Sequence, residues 1–262
     1  MAGSCPCVLS VPDPILSAPK IFLLVDAGNS RVKWALHDDG GFSHEGSRAV
    51  SDLAALARDW SLLPRPDEVL VANVAGEHAA AAFTAAAARW RLAPRLISAR
   101  AEQCGVISRY ENPGQLGPDR WAALIGARAA RRGALLVVCA GTAATIDALA
   151  ADGVFLGGLI LPGFDLMHDA LAAGTARLTA ESGEFHRFPR ATRDAISSGA
   201  IQAICGAVQR MCALVKEETG AVPAIVASGG TAPIVARHLG GPVEVRERLV
   251  LEGLLRIAGE PA

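Results

Sequence analysis

Two short stretches combine the residue types that handle phosphate. The first is Asp26, Ala27, Gly28, Asn29, Ser30, Arg31, Val32 and Lys33; the second is Cys139, Ala140, Gly141 and Thr142, with Thr145 just beyond. Each follows an apolar run, IFLLVD at 21–26 and ALLVVC at 134–139, so each reads as a strand entering a tight turn. A glycine in such a turn lets backbone N–H groups approach an anion closely and tolerates positive φ. Asp26, at a strand end, is placed to hold a magnesium ion through water. Lys33 in the next strand brings a point charge to a phosphate oxygen. Asn29, Ser30, Thr142 and Thr145 add neutral donors. Singly, each glycine is only a turn residue. Two at matched positions, one beside Asp and Lys, favour a phosphate gripped between two apposed hairpins. Neither GxGxxG nor GxxxxGK[ST] occurs, which disfavours a Rossmann dinucleotide site and a P-loop.

The elements that must position these turns come in two similar sets. Apolar runs and turn signals predict strands at 21–26, 31–37 and 42–49, a helix at 51–60 capped by Ser51, a strand at 68–74, a helix at 76–90 and a strand at 94–98. A turn-rich loop at 111–121 leads to a helix at 121–132. The pattern then begins again with strands at 134–139, 142–150 and 155–162, helices at 163–173 and 192–218, a strand at 224–228, a short helix at 231–239, a strand at 243–246 and a last helix. An ungapped alignment of VDAGNSRVKWAL (25–36) with VCAGTAATIDAL (138–149) matches Val25, Ala27, Gly28, Ala35 and Leu36 with Val138, Ala140, Gly141, Ala148 and Leu149. A period of that length is not a solenoid unit. It suggests two related α/β domains, each presenting one glycine turn, although strand-turn-strand segments also converge in Ala/Gly-rich sequence.

Composition narrows the function classes. With 262 residues, 51% of them hydrophobic and 19% charged, two packed domains are expected and disorder is excluded. Aromatics are only 5%, so aliphatic residues must build the cores. A net charge of −1 gives no basic excess for nucleic acid. The six cysteines form no CxxC pair and the six histidines no HExxH, so neither a zinc site nor a disulfide framework is expected. The first 19 residues lack a basic start, and three prolines interrupt their apolar stretch before Lys20, a poor secretory signal. No apolar run suggests a membrane span.

DAGNSRVK, NPGQLGPDRWAALIGA, AGTAATIDAL, GGLILPG and AISSGA occur in this order between about Ile21 and the C-terminal helix. In this combination the chain resembles the type III pantothenate kinases, the Bvg accessory factor family within the actin/hexokinase/Hsp70-like ATPase superfamily. The resemblance implies an α/β fold of two ribonuclease-H-like domains, each a mixed five-stranded sheet flanked by helices, with a cleft between them. The N-terminal domain would span 20–128 and the C-terminal one 129–262, after a leader at 1–19. It further implies a cytoplasmic homodimer that phosphorylates pantothenate to 4′-phosphopantothenate with ATP and Mg2+, the first step toward coenzyme A.

Carried over by position, Asp119 resembles the general base, and Arg120 the residue that pairs with the pantothenate carboxylate. Tyr110 resembles an aromatic lining the pantothenate pocket, and Gly117 and Pro118 complete the segment whose backbone approaches the substrate. Thr192 resembles a residue reaching pantothenate across the dimer interface. Residues 26–33 with Gly141, Thr142 and Thr145 would hold ATP, and Gly229 and Gly230 would approach the adenosine. On the residues alone, Asp119 also suits a helix N-terminus, Arg120 a surface ion pair, Tyr110 core packing and Thr192 an N-cap. One position departs from the family. Many relatives have Asp where Cys139 stands, and that Asp holds a potassium or ammonium ion. A largely neutral thiol is a poor ligand for a hard cation, so cation activation is expected to be weakened, lost, or served by other oxygens. Two rivals remain: a kinase for another small alcohol, and a transcription accessory protein that keeps the fold without catalysis. Intact Asp26, Lys33 and Asp119 favour catalysis.

Overall fold

The computed structural model describes residues 20–175 and 181–260; the expected leader, with Cys5 and Cys7, lies outside them. Strands β1 (Phe22–Ala27), β2 (Arg31–Asp38), β3 (Gly41–Ala49), β4 (Glu68–Asn73) and β5 (Arg95–Leu96) form one sheet in the order β3-β2-β1-β4-β5. The second sheet contains β6 (Glu102–Gln103), β7 (Val106–Ser108), β8 (Leu135–Ala140), β9 (Ala143–Leu149), β10 (Val154–Pro162), β11 (Ala224–Ser228) and β12 (Val243–Val245). Its order is β12-β11-β8-β9-β10-β7-β6. Five of these strands form the expected set. The β6–β7 hairpin extends it, pairing β7 with the edge of β10 through Val154 and Phe155. Residues 102–108 carry no apolar run or alternation long enough to mark a strand, and the hairpin was not expected.

The helices are α1 (Leu56–Trp60), α2 (Glu77–Ala87), α3 (Pro118–Ala130), α4 (Phe164–Gly174), α5 (Thr192–Thr219), α6 (Ala232–His238) and α7 (Leu249–Ala258). They make five layers with the sheets. Trp60, Phe83 and Trp90 pack with Leu23, Val25 and Val71 on the outer face of the first sheet. Ile201, Ile204 and Val208 of α5 do the same with Val138 and Ile146 of the second. Between the sheets lie α3 and α7, whose Trp121, Leu124, Ile125 and Leu254 meet Leu24 and Leu70 on one side and Leu135, Val137 and Phe155 on the other. The two central helices cross at glycines. A methyl group on Gly253 would overlap the Ala122 carbonyl, and one on Gly126 the Leu249 carbonyl. By length and composition α5 could cross a membrane, but its buried face packs into the second sheet's core.

Three local expectations change. Residues 51–60 are not one helix: a 3-10 segment covers 50–55, Ser51 makes no capping bond, and Asp52 has non-helical angles. Its carboxylate is engaged by Arg48 instead. Helix α3 starts at Pro118 rather than 121, because proline at the first helical position loses no hydrogen bond. Ala191, not Thr192, occupies the N-cap of α5.

Candidate active site

Strand alternation aims the polar residues of both hairpins at the same interior layer. Asp26 faces Lys33 across the β1–β2 ladder, and Cys139 faces Thr145 across β8–β9. Directly opposed residues of an antiparallel pair share a face. Here it is the face that carries Leu24 and Ala35 in one sheet and Val137 in the other. The second turn is one residue shorter than the first: Ala27 pairs with Val32, but Ala140 with Ala144. The ungapped sequence alignment therefore slips after the glycine, and the spatial counterpart of Lys33 is Thr145. The hairpins close through Gly28 N–H to Arg31 O (3.1 Å) and Gly141 N–H to Ala143 O (3.0 Å). Neither glycine adopts positive φ; their lack of a side chain leaves room for a ligand rather than relieving backbone strain.

The two turns meet. Ser30 Oγ and Thr142 Oγ1 are 2.8 Å apart, one hydroxyl donating to the other. Beneath this bridge opens a cleft of about 710 Å³. Asp26, Gly28, Asn29, Ser30, Arg31 and Lys33 line one wall, and Gly141, Thr142, Thr145, Gly229 and Gly230 the other. Asp119 and Arg120, in the first turn of α3, lie at its floor. Ala27 and Val32 point away into the outer core, fully buried. Gly229 has φ of +101°, and a side chain there would overlap the Ala140 carbonyl. That carbonyl also accepts from the Thr231 N–H and hydroxyl, at 3.1 and 3.0 Å, fixing the second hairpin to the β11–α6 turn.

The floor is acidic. Burial, and then the charge of Asp119, push the Asp26 carboxyl up to about 7, while Lys33 pulls the other way. The Asp119 Oδ1 accepts the Arg120 N–H at 2.8 Å, and a side chain on Gly117 would crowd that oxygen. Among the described residues no group of three or more His, Cys, Asp or Glu could form a metal cage. One or two carboxylates suit Mg2+, which keeps its waters and shares phosphate oxygens. The Cys139 thiol is driven far above its ordinary range, by burial first and then by the charges of Asp147, Asp119 and Asp26. A neutral thiol does not fit a monovalent cation. The neighbouring Thr145, buried on the cleft wall, has its hydroxyl beside that thiol and opposes the rise by hydrogen bonding to it.

Tyr110, Gly117, Pro118 and Thr192 are not on the cleft wall. Tyr110 stands behind Arg120, its hydroxyl accepting from Nη1 at 3.3 Å and its ring 5.3 Å from that of Phe155. Gly117 and Pro118 hold the entry to α3. Thr192 is exposed on the first turn of α5. The sequence reading missed Asp147, which pairs with Arg120 in the interior. Its signal was an acidic residue inside the apolar strand AATIDAL, a position that demands a buried partner. It also missed Thr231, which looked like an ordinary helix start.

A type III pantothenate kinase family model matches residues 22–214. A type III pantothenate kinase from Aromatoleum aromaticum is 47% identical over 242 residues, covering 92% of this chain and 99% of that protein. One from Nitrosospira multiformis is 45% identical over 240 residues, covering 92% of each. Among solved structures, a conserved Baf family protein from Campylobacter jejuni, described as a transcriptional activator, superposes with a TM-score of 0.59 at 21% identity. The overlap covers 90% of this chain and 96% of that one, and shows a shared fold.

Proposed function

The chain belongs to the type III pantothenate kinase family, and we propose that its cleft phosphorylates pantothenate through the residues assembled there. The family's activity, ATP-dependent phosphorylation of pantothenate on the path to coenzyme A, is the activity of this chain. Transfer to an alcohol requires a clamped triphosphate, charge neutralisation and a group that accepts the hydroxyl proton. The backbone of the two hairpins, Lys33 and the hydroxyls of Ser30, Thr142 and Thr145 would hold the phosphates. Asp26, through water, would hold the magnesium ion, which when bound neutralises charge on the phosphoryl oxygens. Gly229 and Gly230 would border the adenosine.

Asp119 would take the proton of the pantothenate hydroxyl as its oxygen attacks the γ-phosphorus and ADP leaves. Arg120 would pair with the pantothenate carboxylate, supported from behind by Tyr110. Gly117 and Pro118 would set the backbone of that segment. Thr192 lies off its own cleft, which suits a role in the neighbouring site of a homodimer. A monovalent cation at Cys139 finds no fitting donor set, and no step is assigned to one. A cytoplasmic location fits these substrates.

The observation that carries this reading is the convergence of Asp26, Lys33 and Asp119, from three separate elements, beneath the Ser30–Thr142 bridge. A coupled assay of ADP release tests it. Pantothenate should stimulate turnover, and Asp119→Ala should lower kcat by about 10²–10⁴ while leaving nucleotide binding in place. Turnover indifferent to pantothenate would point to another acceptor and reject the assignment.

A further inference from the structure

Asp147 is a buried acidic residue that the proposed mechanism leaves unused, paired with the cleft-lining Arg120. It lies on β9, is 1% exposed, and commits both oxygens to Arg120. Oδ2 accepts from Nε at 3.1 Å, and Oδ1 accepts from Nη2. A guanidinium carries five N–H groups. Asp147 takes two and the Tyr110 hydroxyl one, leaving one free N–H on each terminal nitrogen. The facing strand is bare where the pair lies. Gly158 of β10 opposes Asp147 in the ladder, and a methyl group there would overlap both Asp147 Oδ1 and the Ile146 carbonyl, with Arg120 Nη2 also in close contact. An arginine in so dry a position needs a compensating carboxylate to keep its charge and a fixed partner to keep its plane.

We propose that Asp147 is a positioning residue for the acceptor: it locks Arg120 side-on, so that the two free N–H groups present a fork to the carboxylate of pantothenate, and Gly158 supplies the space that makes the lock possible. This rests on the reading that Arg120 binds that carboxylate. The pair acts on ground-state and transition-state binding alike, because the carboxylate lies far from the reacting hydroxyl. Its loss should therefore raise KM for pantothenate rather than lower kcat.

The test compares pantothenate with pantothenamide, in which a neutral amide replaces the carboxylate. The ratio of their kcat/KM values is independent of the fraction of folded enzyme. Wild type should prefer the acid. Asp147→Asn, which keeps the shape and one acceptor, should cut that preference by about tenfold or more through KM for pantothenate, with KM for ATP unchanged. Gly158→Ala, which displaces the pair without removing a charge, should do the same and provides the readout if Asp147→Asn does not fold. A wild-type ratio retained in either variant, while Arg120→Met abolishes it, overturns the role of Asp147 alone. A wild type that does not discriminate acid from amide, with Arg120→Met equally indifferent, overturns the carboxylate assignment on which the inference stands.

Discussion

Exchanging Asp26 for Asn should stabilise the empty protein and disable it at once. Burial and the Asp119 charge lift this carboxyl from 3.8 to about 7. A carboxyl raised on folding contributes its full stability below its unfolded pKa and loses that contribution as pH rises through the folded value. At pH 8 the ionised form should therefore cost on the order of 2–4 kcal/mol, with allowance for partial exposure to the cleft. Asn has the same shape and cannot ionise, so the variant should melt higher at pH 8 by about 5 °C or more. Near pH 4 the advantage should vanish. Metal binding runs the other way, since Mg2+ needs the carboxylate and must displace its proton. In wild type, the apparent affinity for magnesium nucleotide should fall by about tenfold between pH 8 and pH 6, with proton release on binding at pH 6. The variant should show neither slope nor turnover. Thermal melts of both proteins from pH 4 to 8, with calorimetric titration of magnesium nucleotide at pH 6 and 8, measure every quantity. A variant that melts below wild type at pH 8, or a wild-type affinity equal at both pH values, would refute the reasoning.

Two further outcomes follow from single positions. With a neutral thiol at Cys139, initial rates should be equal in potassium-containing and potassium-free buffer, and Cys139→Asp should introduce potassium stimulation; strong stimulation of wild type would count against a lost cation site. Gly253→Ala drives a methyl group into the Ala122 carbonyl where α3 crosses α7. It should destabilise by about 3 kcal/mol or more in chemical denaturation, whereas a loss under about 0.5 kcal/mol would show that the two helices can part at little cost.

Most elements were legible in the sequence because their signals are local. The apolar runs before Asp26 and Cys139, the helical spacing after Thr192 and the turn glycines mark strands and helices within a few residues. Helix α3 was misplaced by three residues because its first turn, Pro118 to Arg120, looks like loop chemistry. The same proline that breaks a strand opens a helix. The hairpin at 102–108 was invisible, since its strands exist only by pairing with each other and with β10. The ungapped repeat misled by one position because turn length, which sets what opposes what, leaves no trace in residue identity.

The sequence by itself determined which residue types were on offer: two glycine turns rich in hydroxyls, the first also in charge, an Asp-Arg pair after a turn-rich loop, and a thiol just before the second turn. Which of these residues meet was decided only by tertiary structure. Both faces of β1, β2, β8 and β9 are buried, so no alternation of polar and apolar residues tells which face holds the site. Packing of α3 and α7 between the sheets chooses it, bringing Asp26, Asp119 and Thr145 to one cleft and sending Ala27 and Val32 into the outer core. The Arg120–Asp147 pair spans 27 residues of sequence. It exists because a glycine on a third strand leaves space for it, and neither spacing nor composition encodes that space.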